Sequence, residues 1–126
     1  MQEICGMCCA GWLLMGVAPR MPGGGKLKLL ETYADSGKNP YTYTFDKNLN
    51  CQLVVLTLTR DNVTPSVNGD VTLGSTILEK FGDISHKDGY SCVHTYAYKG
   101  VSAHTGDVLR IPHNSGSYTN ITIMLF

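Results

Sequence analysis

The sequence predicts an all-β chain, an antiparallel β-sandwich of jelly-roll-like form that carries an extended N-terminal arm. Three observations indicate this class. Short stretches of alternating residues run from about Tyr41 to Phe126, turn-forming residues separate them, and no long stretch shows the helical period. Alternation with a period of two is typical of strands. Several such strands between closely spaced turns favour a sandwich or barrel over a parallel α/β sheet.

Four stretches carry the strand pattern. The first places Tyr41, Tyr43 and Phe45 on one face and threonines on the other. The run 53–58 (LVVLTL) is almost continuously apolar and rich in β-branched residues, so we expect a central strand buried on both faces. The last two stretches alternate, with one face made of Tyr90, Cys92, His94, Tyr96 and Tyr98 in the third and of Ile121, Ile123 and Leu125 in the fourth.

Turn residues separate these strands. Glycine, asparagine and aspartate recur at the expected reversals, which are residues 35–37, 46–48, 68–70, 88–89, 99–100, 105–107 and 114–116. These residue types tolerate a positive φ or form the local backbone hydrogen bonds that tight turns need. The best helical candidate is 74–81, where Ile77, Leu78 and Phe81 have helical spacing. This segment is short and flanked by glycines, so one helical turn and a strand both stay open.

The length of 126 residues allows one domain, preceded by a segment of different composition. Residues 1–25 are apolar, rich in cysteine and methionine, and end in three glycines that form a flexible joint. We therefore divide the chain into an N-terminal arm, residues 1–25, and a β-sandwich domain, residues 26–126. The apolar run Trp12, Leu13, Leu14 and Met15 is the candidate assembly surface of the arm, because exposed apolar patches usually mark protein interfaces.

Targeting signals do not explain the arm. Its only charges before Pro22 are Glu3 and Arg20, so it lacks the basic start of a secretory signal, and no small-residue cleavage site precedes Pro19. Its apolar run is far shorter than the ~20 residues that a membrane span needs. We expect a protein that folds in a cytoplasm and does not span a membrane.

No catalytic or metal-binding motif stands out. Cys5, Cys8 and Cys9 have a spacing compatible with zinc, but a closed site needs four ligands and no second cysteine pair or histidine pair follows. Whether these three cysteines bind a metal stays open. The four histidines are scattered, and the aspartates occupy turn positions, where their local hydrogen bonds favour them. We predict no enzyme activity, no catalytic residues, no metal site and no cofactor.

The charge pattern bears on partners. Ten basic and ten acidic residues give a net charge of zero, and the basic residues are dispersed. A nucleic-acid binder normally carries a basic stripe that provides salt-dependent affinity. DNA and RNA are therefore not expected partners.

Three segments carry a resemblance to known proteins. Residues 41–56 (YTYTFDKNLNCQLVVL), 69–73 (GDVTL) and 118–126 (YTNITIMLF) resemble the small β-sandwich structural proteins of tailed bacteriophages and prophages, of the tail-tip, fibre, baseplate or head-decoration type. The resemblance covers about the last 90 residues. It implies a non-enzymatic component of the virion that forms a homo-oligomer, often a trimer, contacts other virion proteins, and can attach to the host surface.

Two hypotheses of function follow. In the first, the chain is a structural virion protein, folded in the host bacterial cytoplasm, which assembles through its N-terminal arm and presents the sandwich outward. In the second, the chain is a carbohydrate-binding module for bacterial or host surface glycans. Exposed tyrosines and loop polar groups would then bind the sugar, and the candidate contacts are Asp61, Asn62 and Asn114.

Overall fold

A computed structural model of the chain describes residues 27–114 and 118–126. Within these residues the chain forms antiparallel strands and no α-helix, which confirms the predicted all-β class. The strands are β1 (Glu31–Ser36), β2 (Tyr41–Thr44), β3 (Leu49–Asn50), β4 (Leu53–Asp61), β5 (Thr72–Leu73), β6 (Thr76–Ile77), β7 (Lys80–Asp88), β8 (Ser91–Lys99), β9 (Ser102–Ala103), β10 (Val108–Ile111) and β11 (Asn120–Leu125). The predicted arm, with Trp12, Leu13, Leu14 and Met15, lies outside the described residues.

The larger sheet has five strands in the order β1-β11-β4-β8-β7. Strand β4 is central, because it pairs with β11 on one side and with β8 on the other. The expectation that its apolar run is buried on both faces is wrong. Val54, Leu56 and Leu58 are fully buried, while the alternate residues on the other face are only half-buried.

The second sheet has four strands in the order β2-β10-β5-β6, and β3 pairs separately with β9. Residues 74–81, left open between a helical turn and a strand, take the strand form. Gly74 adopts a φ of 58° at the reversal between β5 and β6, and β7 begins at Lys80. A positive φ of this kind is available to glycine without strain, which explains the residue at this turn.

One hydrophobic core draws on both of these sheets. Its members alternate along their strands, as the period of two requires. The large sheet contributes Val54, Leu56, Leu58, Tyr96, Tyr98, Ile121, Ile123 and Leu125, and the smaller one contributes Tyr41, Leu73, Leu109 and Ile111. Burying one such aliphatic side chain stabilises the folded state by about 1.5 to 3 kcal/mol. The predicted faces of the strands at 91–99 and 120–125 are therefore confirmed, except that Tyr90 lies just before β8 and is exposed.

Strand β1 is an element that the sequence pattern missed, since strands were expected only from about Tyr41 onwards. It pairs with β11 along its whole length, from Glu31 opposite Leu125 to Ser36 opposite Asn120. Tyr33 is its one large apolar side chain, and its ring packs 5.0 Å from the ring of Tyr43 in the other sheet. One aromatic residue in six does not produce a readable period.

Two cysteines of the described residues, Cys51 and Cys92, are buried and unbonded. This agrees with their interpretation as small buried hydrophobes. Burial raises the pKa of the Cys51 thiol. The carbonyl oxygen of Cys51 also lies so close to Gly100 that a Cβ there would come within 2.0 Å of it. Only glycine fits where these two chain segments meet.

Candidate functional site

A cavity lies at the end of the five-stranded sheet, where β11 no longer accompanies β4. Strand β11 ends its pairing with β4 at Asn120, opposite Thr59, whereas β8 accompanies β4 two residues further, to Asp61. The difference leaves a recess of about 720 Å³, which we call the tip cavity. Its walls include Arg60, Asp61, Asn62, Val63, Tyr118 and Asn120. A volume of this size matches the range of small-ligand pockets.

The backbone holds one wall of the tip cavity in place. Asn62 adopts a φ of 70°, a left-handed conformation that asparagine tolerates better than most residues. Its N–H donates to the carbonyl of Tyr90 over 2.6 Å, and its carbonyl accepts from Nζ of Lys87 over 3.1 Å. Because the backbone N–H and carbonyl of Asn62 are both hydrogen-bonded within the protein, its side chain is the part of the residue that a ligand can bind.

Polar groups of the tip cavity are available to a ligand. Within residues 27–114 and 118–126, the side chains of Asp61, Asn62 and Asn120 have no hydrogen bond or ion pair to the rest of the protein. Between them they offer carboxylate acceptors and two amides that can both donate and accept. Tyr118 adds an aromatic ring that is 79% exposed. Such a set of groups can bind a polyhydroxylated ring by hydrogen bonds along its edge and by contact with its apolar face.

The predicted glycan contacts divide into two locations. Asp61 and Asn62 both line the tip cavity. Asn114 does not line it, and its Oδ1 instead accepts from the N–H of Ser66 while its own N–H donates to the carbonyl of Ser66, each over 3.1 Å. Asn114 therefore ties two loops together. Tyr118 and Asn120 are the cavity residues that sequence reasoning did not select.

A second cluster of chemically active groups surrounds His94. Its Nε2 lies 2.9 Å from Oδ1 of Asp83, and its Nδ1 lies 3.0 Å from the carbonyl of Pro65 and 3.1 Å from the hydroxyl of Tyr96. Lys80 donates to the other oxygen of Asp83 over 2.8 Å. Hydrogen bonds from Lys80 and then from His94 lower the pKa of Asp83, and the bond to Asp83 raises the pKa of Lys80.

The contacts of this cluster brace the loop at residues 65–67 against β8. Both ring nitrogens of His94 already face oxygen atoms, and the ring stacks on Tyr96 with centroids 4.1 Å apart. The hydroxyl of Tyr96 in turn accepts the N–H of Val67 over 2.9 Å. Tyr96 itself is buried. Together these contacts hold the 65–67 loop against β8.

A third feature is the outer edge of β7. This nine-residue strand pairs only with β8 in the described sheet, and eight of its nine residues are exposed. Phe81 is 60% exposed and Ile84 is 72% exposed, and Ile77 is similarly exposed just before the strand. A register shift between Lys80 and Gly82 interrupts the ladder, after which pairing continues regularly to Asp88. A sheet edge of this length is a template for pairing with another strand.

The described residues contain neither a metal-binding cluster nor a membrane-spanning helix. Between residues 27 and 126, leaving out 115–117, no group of three or more His, Cys, Asp or Glu side chains could hold a metal ion. The question of Cys5, Cys8 and Cys9 lies outside this range. Over the same range, none of the structure is a helix with the length and apolar character that crossing a bilayer needs.

Comparison with protein-family models, with curated proteins and with solved structures finds no match to this chain.

Proposed function

We propose that this chain is a non-enzymatic structural protein that works by assembling with copies of itself and with other proteins of a phage or prophage particle. The observation that supports this best is the exposure of the apolar side chains of Phe81 and Ile84 on the edge strand β7, and of Ile77 on β6, the edge strand just before it in the chain. Exposed apolar groups gathered in one region usually mark a protein interface. Residues 41–56, 69–73 and 118–126 resemble phage structural proteins, which supports the proposal that the partners belong to a phage or prophage particle.

The proposed domain is a β-sandwich of jelly-roll-like form, in which the five-stranded and four-stranded sheets pack face to face. The shared hydrophobic core supports this arrangement, since inward residues of both sheets are fully buried together. Tyr41 provides one link between them, because its hydroxyl donates to the carbonyl of Thr119, next to the start of β11. Two packed layers around one core are the usual way for antiparallel sheets to bury their apolar faces.

The N-terminal arm supplies the second contact in this proposal. Trp12, Leu13, Leu14 and Met15 would dock on a neighbouring subunit, giving a homo-oligomer such as a trimer. Folding in the host bacterial cytoplasm, followed by incorporation into the virion, would let these side chains stay covered by partner subunits. Host attachment would then fall to the β-sandwich domain.

The mass of the full chain in solution tests this proposal. We expect wild-type protein to form an oligomer in sedimentation equilibrium, and a variant with Trp12, Leu13, Leu14 and Met15 all replaced by serine to lose at least tenfold in association constant. A matched control replaces Gln2 and Glu3, in the same segment, by alanine. A monomeric wild type, or a serine variant that associates like the control, would refute the assembly role of the arm.

The second candidate function is recognition of a surface glycan, and the tip cavity favours it. The cavity combines the exposed ring of Tyr118 with the side chains of Asp61, Asn62 and Asn120, which make no hydrogen bond or ion pair in the part of the chain that the structure describes. Sites that bind small ligands usually combine aromatic side chains with a few polar groups that orient the ligand. A particle protein can carry such a site, so the two functions are compatible.

An array of bacterial O-antigen and host oligosaccharides, probed with the full chain, tests the second candidate. We expect Tyr118→Ala to weaken the strongest glycan signal at least tenfold. Tyr90→Ala is the matched control, because Tyr90 is 74% exposed but does not line the cavity. Absence of binding to every glycan, or an equal loss in both variants, would remove this candidate.

A further inference from the structure

We infer that the outer edge of β7 pairs with β7 of a second copy of this chain, antiparallel and about a two-fold axis that passes beside Ser85. This inference rests on the proposed self-assembly and names a surface for it. The partner is a second copy because the charges of the strand fit the same strand reversed, as the register shows.

The symmetry restricts the registers that are allowed. Directly opposite residues of an antiparallel pair point to the same face, and side chains alternate between faces. In a two-fold pairing of one strand with itself, some residue must therefore oppose its own copy. The bulge-free part of β7 runs from Gly82 to Asp88, and its midpoint is Ser85. Centring the axis there pairs all seven residues.

The charges of β7 select the same register. With Ser85 opposite itself, Asp83 of each copy lies opposite Lys87 of the other. Two pairs of opposite charges then come together, in addition to the bonds that Asp83 makes to Lys80 and Lys87 makes to the Asn62 carbonyl. Moving the axis to Asp83 would place two carboxylates against each other. A parallel, in-register pairing would do the same at Asp83 and would also oppose two lysines at Lys87. Opposite charges across a strand pair stabilise it and like charges destabilise it.

The faces of the strand are also compatible with this pairing. Asp83, Ser85 and Lys87 lie on the same face as their partners Tyr96, His94 and Cys92 in β8, which is the core side of the sheet. Ile84 and His86 lie on the other face and would oppose each other across the axis. The pairing would turn two five-stranded sheets into one continuous sheet and would cover part of the exposed surface of Ile84.

The edge alone is a small interface. Seven paired residues bury far less than the roughly 1,600 Å² of a standard protein–protein interface. Edge pairing and the N-terminal arm would therefore act together, and each can be removed separately.

Disulfide trapping of the full chain tests the register. Cys5, Cys8 and Cys9 are first replaced by serine, which leaves the buried Cys51 and Cys92 as the remaining cysteines. In the proposed dimer the Cα atoms of residue 85 lie about 4.5 to 5.5 Å apart, within the range that a disulfide spans. Ser85→Cys should give mainly covalent dimer on oxidation. The matched control is Ser36→Cys, an exposed serine on the opposite edge of the same sheet.

Two further variants fix the register. Residue 84 opposes residue 86 in the proposed dimer, so Ile84→Cys alone and His86→Cys alone should cross-link poorly, while an equal mixture of the two chains should cross-link well. The reduced variants should retain the wild-type unfolding midpoint. Cross-linking of Ser85→Cys no greater than that of Ser36→Cys would overturn the inference, and efficient cross-linking of Ile84→Cys alone would overturn the register.

The serine variant of the arm separates this inference from the function on which it rests. Suppose that Ser85→Cys cross-links well and that the serine variant of the arm associates like wild type. The edge pairing then stands and the role of the arm fails. If the arm variant dissociates while Ser85→Cys never cross-links, the edge pairing fails and the role of the arm stands.

Discussion

The two edge strands of the five-stranded sheet, β1 and β7, differ in how they are covered. Strand β1 turns alternate side chains towards the second sheet, where Tyr33 packs on Tyr43 and Glu31 forms an ion pair of 3.2 Å with Lys47. Strand β7 has only one residue that is not exposed, and it displays Phe81 and Ile84 to solvent. The longer and more apolar edge is thus the one left uncovered.

If the chain assembles as proposed, this difference separates the residues that stabilise the fold from those that form contacts between subunits. Side chains of β1 are used within the subunit, so changes there should lower the free energy of unfolding. Exposed side chains of β7 contribute little to that free energy, because replacing surface residues usually changes it by less than about 0.5 kcal/mol. Changes on β7 should instead alter the contacts between subunits.

The largest effect is expected at Tyr33. Tyr33→Ala removes the ring contact with Tyr43 and the hydrogen bond of 2.6 Å from the Tyr33 hydroxyl to Asp35. We expect the free energy of unfolding in urea to fall by about 2 kcal/mol, below the 3–5 kcal/mol of a fully buried aromatic because Tyr33 is half-buried. Tyr33→Phe, which keeps the ring, should lose about half as much. Equal losses in the two variants would show that the ring contact contributes nothing.

The next effect concerns Ile84 and should appear in association rather than folding. Ile84→Lys places a charge at the open edge, and we expect at least a tenfold weaker self-association, about 1.4 kcal/mol, in sedimentation equilibrium. The unfolding midpoint should not change. Val63→Lys is the control, because Val63 is 51% exposed but lies off β7. A loss of stability in Ile84→Lys, or equal weakening in both variants, would contradict the contrast between the edges.

The smallest effect is a pH dependence at the covered edge. The Tyr33 hydroxyl, and after it Lys38 and the N–H of Ser36, lower the pKa of Asp35 from 3.8 to about 2. A carboxylate whose pKa is lower in the folded state stabilises the fold above about pH 4, and this contribution disappears as the pH falls to about 2. In Asp35→Asn, the free energy of unfolding should fall less steeply over this interval than in wild type.

A series of urea titrations between pH 5 and pH 2 measures this slope. Tyr33→Phe removes the strongest donor to Asp35 and should reproduce part of the change. An Asp35→Asn variant with the wild-type slope would show that this carboxylate does not couple folding to pH.

The sequence predicted β4, β8 and β11, which have fully buried residues on one face, and missed β1 and β7, which have none. In β8 and β11, most residues on one face are buried, so apolar and polar residues alternate visibly in the sequence. Cys92, Tyr96 and Tyr98 could therefore be placed on one face from the sequence alone. In β7 almost every residue is exposed, and no face requires apolar side chains. Pairing with β8 in a hairpin forms that strand, and backbone pairing of this kind leaves no alternation of apolar residues in β7.

The candidate sites show the same limit. Asp61 and Asn62 could be selected because turn residues present polar groups, and both line the tip cavity. Tyr118 could not, because tyrosine also suits half-buried strands and nothing local shows that β11 begins only after it. The contact between Asp83 and His94 depends on the register of the β7–β8 hairpin, which the two residue types do not reveal.

The two buried cysteines, Cys51 and Cys92, allow local opening of the structure to be measured by thiol labelling. Cys92 lies in β8 beside the open edge, and Cys51 lies beside Gly100 at a close crossing of two chain segments. A thiol reagent can reach either sulfur only when the surrounding structure separates, so its labelling rate measures how often that separation occurs. With Cys5, Cys8 and Cys9 replaced, mass spectrometry of labelled peptides would time the two regions independently in a single sample.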